Sequence, residues 1–282
     1  MTRAGHHELV ARGLVLGYDG RRVVDGLDLA VPDGRITAVV GANASGKSTL
    51  MRGIARVMRP DAGTVTLDGR DVHGLPTREV ARVLGLLPQQ PHAPDGITVG
   101  ELVRRGRHPH QGWLRRAHSD DDRVVAAALT ATDTIDLVDR AVDELSGGQR
   151  QRVWIAMALA QDPEILLLDE PTSFLDVAHQ IDVLDLLMDL NRTRGTTIVM
   201  VLHDLNLAAR YADHLVVMAG GALIAGGPPA DVLTAETVRA AFGLEARVVP
   251  DPVCGAPMVV PVGRFHGADA ADGASPGSLG AD

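Results

Sequence analysis

The segment from Gly41 to Ser48 reads Gly-Ala-Asn-Ala-Ser-Gly-Lys-Ser and matches the pattern G-x-x-x-x-G-K-[ST]. Backbone N–H groups of such a loop close around phosphate oxygens, and the N-terminus of the following helix adds positive potential. Lys47, the only lysine among 27 Lys and Arg residues, is predicted to reach the β- and γ-phosphates, and Ser48 to bind Mg²⁺. The sequence therefore predicts a nucleotide-binding loop rather than a plain glycine turn. The loop residues predicted to contact the nucleotide are Gly41, Asn43, Ala44, Ser45, Gly46, Lys47, Ser48 and Thr49.

A pair of carboxylates follows a short apolar segment, Ile165-Leu-Leu-Leu-Asp169-Glu170. Because the segment is too short for a helix and is bounded by Pro163 and Pro171, it is predicted to be a buried strand. Hard cations prefer carboxylate oxygen, so Asp169 is a candidate Mg²⁺ ligand, either directly or in the second shell. Glu170 is placed to accept a proton from a water that attacks a phosphate. A carboxylate pair after a strand is more often a solvated turn, but the phosphate loop upstream favours a hydrolytic site.

The elements that must position these residues alternate between strands and helices. Apolar segments predict strands at 8–16, 23–31, 35–40, 165–168 and 197–202, and helical patterns occur at 47–58, 98–160, 177–190 and 205–211. Such alternation is typical of an α/β domain with a buried parallel core. We therefore predict an α/β fold with a P-loop NTPase core, which is a mostly parallel sheet with flanking helices. A helical subdomain at about 98–160 is inserted between two of the core strands.

The composition excludes several classes of protein. The chain has 282 residues, 45% hydrophobic and 22% charged, which is ordinary for a globular protein. Its net charge of −9 argues against nucleic acid as the main partner, because neutralising phosphates requires a basic face. No apolar run approaches the roughly 20 residues of a membrane span, and the first residues lack the apolar core of a signal peptide, so a cytoplasmic protein is predicted. The lone Cys254 forms no internal disulfide. Residues 1–7 are predicted to be flexible, and residues 265–282, rich in Gly, Ala, Ser and Asp, to be disordered.

The segment Leu145-Ser-Gly-Gly-Gln149, upstream of the carboxylate pair, resembles the signature of ATP-binding-cassette ATPases. The resemblance covers residues 8–264 and implies a single ATP-binding domain of the ABC ATPase fold, with an antiparallel N-terminal β-subdomain beside the core. It also implies a head-to-tail homodimer, in which each ATP lies between the phosphate loop of one subunit and the signature of the other. A plain serine cap followed by spacer glycines is the alternative interpretation. The signature residues implied to contact ATP are Ser146, Gly147, Gly148 and Gln149.

Further positions follow from the same resemblance. Tyr18 is similar to the aromatic residue that stacks on adenine in this family. Gln89, or its neighbour Gln90, resembles the Q-loop glutamine that contacts Mg²⁺ and water and carries movement to a membrane partner. Asp176 resembles the D-loop aspartate near the dimer axis, and His203 resembles the switch histidine at the γ-phosphate. The resemblance thus implies Glu170, His203 and Gln89 as catalytic residues, and Ser48, Gln89 and Asp169 as residues at the metal.

The phosphate loop departs from the commonest text of the family at Ala42 and Ala44, where Pro and Gly are more usual. Neither is a fixed position of the pattern, so the departure concerns the geometry of the loop and not nucleotide binding. If position 44 needs a positive φ, its alanine is strained.

Two stretches resemble the subgroup that energises uptake of ferric siderophores, haem and cobalamin: Gly106-Arg-His-Pro-His-Gln-Gly-Trp113 and Val201-Leu-His-Asp-Leu-Asn206. Near the end, Glu245-Ala-Arg-Val-Val-Pro-Asp-Pro-Val253 and Pro257-Met-Val-Val260 resemble the siderophore branch of that subgroup. The first hypothesis is therefore the ATPase subunit of a ferric-siderophore importer, and the second is the ATPase of a haem or cobalamin importer. Either would sit on the cytoplasmic face of the membrane with separate permease subunits and, indirectly, a substrate-binding protein. The third hypothesis is a soluble, nucleotide-gated interaction module without transport. An exposed apolar groove below Gln89 would favour a permease-bound ATPase.

Overall fold

The computed structural model describes residues 6–111, 119–173 and 175–263, without the side chain of Ser119. Outside these ranges lie the predicted disordered tail at 265–282, residues 1–5 of the predicted flexible N-terminus, and the end of the first importer-like stretch at 112–113. His7 is described, and its Nδ1 lies 2.8 Å from a carboxylate oxygen of Asp68 while its Nε2 lies 3.3 Å from one of Glu164.

The described residues form strands and helices that follow the predicted alternation. The strands are β1 (Leu9–Tyr18), β2 (Arg21–Val31), β3 (Ile36–Gly41), β4 (Ala62–Leu67), β5 (Arg70–Asp71), β6 (Leu84–Leu87), β7 (Ile165–Asp169), β8 (Thr197–Val201), β9 (His214–Ala219), β10 (Ala222–Gly227), β11 (Ala246–Pro250) and β12 (Pro257–Pro261). The α-helices are α1 (Lys47–Ile54), α2 (Thr77–Val83), α3 (Val99–Arg105), α4 (Ser119–Ala131), α5 (Gly147–Ala160), α6 (Val177–Arg194), α7 (Leu205–Tyr211), α8 (Pro229–Val232) and α9 (Ala235–Phe242). No helix in this part of the chain is long and apolar enough to cross a membrane.

A six-stranded sheet in the order β10-β9-β3-β8-β7-β6 forms the centre of the fold. All of its strands are parallel to their neighbours except β10, which pairs with β9 in the antiparallel sense. Every residue of β3, β7 and β8 is buried, as expected when helices cover both faces of a parallel sheet. In a parallel sheet the carboxyl ends of the strands meet at one edge, and ligands of open α/β folds bind there. The segments that follow β3, β6, β7 and β8 are therefore brought together.

The N-terminal sheet is antiparallel, in the order β2-β1-β4-β5. Its buried residues share a second core with α1 and with the facing side of the central sheet. This arrangement, together with the central sheet, confirms the predicted fold class. The strand predicted at 8–16 continues to Tyr18, where a turn with φ values of 50° at Asp19 and 78° at Gly20 leads into β2.

Two helices differ in length from the prediction. The helix predicted at 47–58 ends at Ile54, and Arg56, shortly beyond it, has a φ of 63° that no right-handed helix accommodates. The helix predicted at 177–190 continues to Arg194, because the residue that can end it, Gly195, comes only there and adopts a left-handed φ of 73°.

The helical subdomain contains α3, α4 and α5, inside the range predicted at 98–160. A buried ion pair joins its three helices: Nε of Arg107 donates to Asp121 at 2.9 Å, and Nη1 of Arg107 donates to the carbonyl of Ala160. Because both charged groups are hydrogen-bonded, the cost of burying them is offset. This subdomain carries the signature segment at the start of α5.

Candidate active site

A cavity of about 980 Å³ opens at the carboxyl edge of the central sheet. Eleven of the predicted site residues line it: Tyr18, Asn43, Ala44, Ser45, Gly46, Lys47, Ser48, Thr49, Gln89, Glu170 and His203. Gln90, the alternative to Gln89, is not among the described residues that line the cavity. These residues come from five separate chain segments, and such convergence on one cavity is the arrangement that a binding site for a large ligand requires.

The phosphate loop is built so that small residues and bare backbone face the cavity. A Cβ atom on Gly41 would lie 2.3 Å from the carbonyl oxygen of Met218, and Gly46, which precedes α1, has a φ of 102°. Ala44 has a φ of 62°, so this alanine adopts the left-handed conformation whose strain the sequence analysis anticipated. The Oγ of Ser45 is buried without a hydrogen-bond partner among the described residues. Such a loop fits a phosphate chain, whose oxygens can accept from the backbone N–H groups and from this hydroxyl.

Lys47 is the first residue of α1 and is only 5% exposed. Its Nζ donates to the carbonyls of Gly41, at 2.9 Å, and Ala42, at 3.0 Å. Burial lowers the pKa of the Lys47 amine, although the negative charges of Glu170 and Asp169 oppose this effect. The amine is thus held over the loop by its own carbonyls, in a place where a phosphate could replace them as partner.

Ser48 and Asp169, the residues predicted to hold Mg²⁺, place two side-chain oxygens next to each other. The Oγ of Ser48 donates to Oδ1 of Asp169 at 3.0 Å. Burial raises the pKa of Asp169, the Ser48 hydrogen bond lowers it in part, and the nearby charge of Glu170 raises it again. No cluster of three or more His, Cys, Asp or Glu side chains suited to a metal occurs in the described residues. This donor set fits Mg²⁺, which commonly takes one or two protein oxygens together with phosphates and water.

Glu170 follows β7, and three other side chains form hydrogen bonds with its carboxylate. His203 Nε2 lies 2.7 Å from Oε1, the hydroxyl of Ser173 donates to Oε2 at 2.9 Å, and Gln89 also donates to the carboxylate. Burial acts to raise the pKa of Glu170, but the hydrogen bonds from Ser173, Gln89 and His203 outweigh it and hold the pKa below its ordinary value. The carboxylate is therefore ionised at neutral pH and can accept a proton. The backbone of Glu170 has a φ of 57°, a strained conformation of the kind found at functional sites.

The signature residues and Asp176 lie outside this cavity. Ser146 caps α5: its hydroxyl accepts from the backbone N–H of Gln149 at 3.3 Å, and the Gln149 side chain accepts from the N–H of Ser146 at 3.2 Å. The serine is therefore a helix cap, and its hydroxyl is exposed. Gly147 and Gly148 occupy the first turn of α5, where an added Cβ would meet nothing closer than 3.4 Å. Asp176 caps α6 by accepting from the N–H of His179 at 2.9 Å.

Sequence reasoning missed several residues that the structure brings to the cavity. Arg21, Arg22, Val23, Gly220 and Gly221 also line it. The N–H of Gly221 donates to the carbonyl of Ser45 at 3.2 Å, so the turn between β9 and β10 supports the phosphate loop from behind. The Gly220-Gly221 doublet was the available signal, since a Cβ on Gly221 would lie 2.3 Å from the carbonyl of Val23.

The role of Ser173 was also missed. Its segment resembled the D-loop, but the contact between its hydroxyl and Glu170, three residues earlier, depends on a turn that the sequence pattern did not indicate. That turn includes a hydrogen bond from the N–H of Ser173 to the carbonyl of Glu170 at 3.2 Å.

A glycine-rich loop between a buried parallel strand and a helix, with a magnesium-type oxygen pair and a carboxylate at the next strand ends, defines a P-loop nucleoside triphosphatase. Residues 24–173 match the family of ABC transporters, which is more than half of the chain. The chain belongs to the ABC transporter family, as the ATP-binding component that hydrolyses ATP. The resemblance stated from the sequence is thereby confirmed.

Several curated proteins are similar over most of their length. The achromobactin transport ATP-binding protein of Dickeya dadantii is 52% identical over 91% of this chain and 95% of its own. The ferric enterobactin transport ATP-binding protein of Escherichia coli is 50% identical over 89% of this chain and 93% of its own. A cobalamin import ATP-binding protein of Halobacterium salinarum is 43% identical over 89% of this chain and 62% of its own.

Solved structures give the same fold. One, described as an inward-facing conformation of a metal-chelate type ABC transporter, has a TM-score of 0.78 at 29% identity and covers 92% of this chain and 99% of its own. A dimeric structure of a bacterial ABC transporter cassette has a TM-score of 0.71 at 26% identity and covers 78% of this chain and 98% of its own.

Proposed function

We propose that this chain is the ATP-binding and ATP-hydrolysing subunit of an importer for ferric siderophores, with the ATPase core described above as its motor. The evidence for a ferric siderophore as the cargo is sequence identity: about half the residues are identical, over nine-tenths of the chain, to those of proteins named for siderophore transport. Cobalamin or haem import is the second candidate, supported by the cobalamin relative at lower identity.

The residues of the cavity account for the chemistry of hydrolysis. The phosphate loop binds the triphosphate through its N–H groups and Lys47, and Ser48 and Asp169 hold Mg²⁺. Bound Mg²⁺ neutralises charge on the phosphates and orients the terminal one. Glu170 then accepts the proton of the attacking water, while His203 and Gln89 position that water and the γ-phosphate. The ionised state of Glu170 supports this role, because only the carboxylate form accepts a proton.

A head-to-tail homodimer accounts for the residues that lie outside the cavity. Ser146 and Asp176 are exposed at helix N-termini, where positive potential favours an anion. They line no part of the cavity of their own chain, so a nucleotide there would be reached by the signature of a second subunit. Val177, next to Asp176, is 76% exposed, which suits a surface that a partner covers.

A second cavity, of about 620 Å³, supports docking of a permease. Its walls include the apolar side chains of Ala55, Val57, Val80, Leu84 and Leu86, with Arg56, Arg59 and His73 among its polar residues. Val57 is 65% exposed, and Nε2 of His73 is buried without a partner among the described residues. The cavity abuts β6, which leads within two residues to Gln89. An apolar permease segment that also carries a carboxylate would satisfy these groups and would transmit its position to Gln89. Such docking would place the chain on the cytoplasmic face of the membrane.

The cargo is tested by reconstituting the chain in proteoliposomes with the permease subunits that co-purify with it and a substrate-binding protein loaded with each candidate cargo. A loaded ferric-siderophore binding protein is expected to stimulate ATP hydrolysis and uptake, and haem or cobalamin is expected to do neither. Stimulation by cobalamin or haem alone would select the second candidate. If no membrane protein co-purifies with the chain and Val57→Glu leaves every activity unchanged, the soluble interaction module is the better account.

A further inference from the structure

The hydroxyl of Tyr18 is hydrogen-bonded to α1, the helix that follows the phosphate loop. Its hydroxyl accepts a hydrogen bond from Nη1 of Arg52, with 3.1 Å between the two atoms. Tyr18 ends β1, whereas Arg52 lies in the last turn of α1, 34 residues further along the chain. The contact therefore joins the outer edge of the nucleotide cavity to the helix that begins at Lys47.

Because Tyr18 is exposed, this hydrogen bond can reduce the conformational freedom of its side chain. Tyr18 is 43% exposed and directly precedes the turn at Asp19 and Gly20. An exposed tyrosine has two rotatable side-chain torsions, and ordering them on ligand binding costs free energy. A hydrogen bond at the hydroxyl restrains both torsions, yet it lies in the plane of the ring and leaves the two ring faces open to stack on a base.

Arg52 itself is absent from the described residues that line the cavity. Its guanidinium acts on the site in two indirect ways: through the hydroxyl of Tyr18, and through its positive charge, which lowers the pKa of Asp169 against the larger effect of burial. The first effect concerns the base and the second concerns the metal and phosphates. The two can be separated by ligands that have or lack a base.

We propose that Arg52 is a positioning residue for base recognition: by its hydrogen bond to Tyr18 it holds the ring in place against the cavity that the phosphate loop also lines, ready to stack on the base of a nucleotide. This inference rests on the proposed function, since it takes Tyr18 as the residue that stacks on the base. Arg52 thereby links recognition of the base to the same helix whose N-terminus binds the phosphates.

The test compares the dissociation constants of Mg-ADP and Mg-pyrophosphate, since pyrophosphate carries the same two phosphates without a base. Arg52→Met and Tyr18→Phe should each weaken ADP about three- to tenfold, the range expected from ordering one side chain. The double variant should be no weaker than Arg52→Met alone, because both changes remove the same hydrogen bond. Pyrophosphate should bind Tyr18→Phe as it binds the unaltered chain, whereas Arg52→Met, which also loses the charge that lowers the pKa of Asp169, should weaken pyrophosphate less than it weakens ADP. Arg52→Lys, which keeps both the charge and a donor, should recover most of the affinity for ADP.

Arg12→Met is the matched control, because Arg12 is exposed on the same strand as Tyr18 and lines no part of the cavity. Equal weakening of ADP and pyrophosphate by Arg52→Met would overturn the proposal, since Arg52 would then act on the phosphates or the metal. Additive effects of Arg52→Met and Tyr18→Phe would overturn it as well. Tyr18→Ala should weaken ADP more than Tyr18→Phe. If it does not, the ring does not stack and the inference fails, while nucleotide binding and hydrolysis by the unaltered chain still test the proposed function separately.

Discussion

His203 and Glu170 are directly paired, with 2.7 Å between Nε2 of the imidazole and Oε1 of the carboxylate. The other carboxylate oxygen accepts from Ser173. Both oxygens that could deprotonate a water are thus engaged by side chains of the same chain. Each carboxylate oxygen can still accept a second hydrogen bond, so a water can reach Glu170 while these contacts hold. His203 is expected to exchange Glu170 for the γ-phosphate when ATP binds.

Glu170→Gln should retain ATP binding and lose hydrolysis. The amide is nearly the same size and can still contact Ser173 and His203, but it accepts no proton from water. Loss of a general base typically slows a reaction by about 10²- to 10⁴-fold. Single-turnover hydrolysis measures the effect, with Glu236→Gln, an exposed carboxylate on α9, as the matched control. Hydrolysis by Glu170→Gln at near the unaltered rate would show that another group takes the proton.

Lys47 is expected to be protected from amine-selective reagents by Mg-ATP. It is the only lysine of the chain, so labelling is confined to its side chain and the terminal amino group. Without nucleotide its amine is held by the carbonyls of Gly41 and Ala42, and burial lowers its pKa, which favours the reactive neutral form. A phosphate would hold the amine in its charged form and slow labelling further. Peptide mapping with and without Mg-ATP gives the two rates, and the terminal amine serves as the internal control. Equal rates at Lys47 would argue against its phosphate role.

The sequence predicted the fold class and the residues that meet in the cavity because each depends on local signals. The glycine pattern around Lys47 and the apolar strand before Asp169 each span ten residues or fewer. Each predicts both a secondary-structure element and the chemistry of the residues beside it. The carboxyl edge of a parallel sheet then brings such segments together in any fold of this type. The roles assigned to Tyr18, Gln89 and His203 came from resemblance, and they stay predictions, as do the roles of Lys47, Asp169 and Glu170.

Contacts between residues far apart in the chain could not be predicted from the sequence. The hydrogen bond from Arg52 to Tyr18 and the support of Ser45 by Gly221 depend on how two sheets and a helix pack, and no periodicity encodes them. Helix ends were uncertain for a similar reason: the helical pattern of 47–58 continues past Ile54, where a left-handed residue at Arg56 turns the chain away. The contacts of His7 with Asp68 and Glu164, which lie far away in the chain, likewise had no signal in the sequence.

His7 should make stability depend on pH. Burial opposes its protonation, but hydrogen bonds to Asp68 and Glu164 outweigh burial and raise its pKa above the ordinary value of 6.5. A group whose pKa is raised by folding stabilises the fold fully below its unfolded pKa, and this contribution is lost as pH rises through the folded pKa. The difference in the free energy of unfolding between the unaltered chain and His7→Ala should therefore be larger near pH 6 than near pH 9. Urea unfolding at both values measures it. A difference that grows with pH would contradict the assignment.

Ser146→Arg should abolish ATP-dependent dimerisation and spare ATP binding by the monomer. The variant keeps Lys47, Ser48, Asp169 and Glu170, but a bulky side chain at the start of α5 would clash with the ATP bound on the second subunit. Ser146 also caps α5, so Ser146→Ala is the matched control, because it removes the hydroxyl without adding bulk. Loss of the cap costs about 1 kcal/mol. Loss of the expected hydrogen bond to the partner's nucleotide costs roughly 1.5–3 kcal/mol. Size-exclusion chromatography in a Glu170→Gln background reports the dimer, and nucleotide titration reports binding by the monomer.

Mixing Ser146→Arg with Lys47→Ala gives the sharper form of this test. In a mixed head-to-tail dimer, one composite site carries both alterations and the other carries neither. Each variant alone should be inactive, and their mixture should recover part of the ATPase activity through the unaltered site. If Ser146→Arg abolishes ATP binding by the isolated monomer, or if the mixture is no more active than its components, the signature acts within its own chain and the shared-site dimer is the wrong arrangement for this protein.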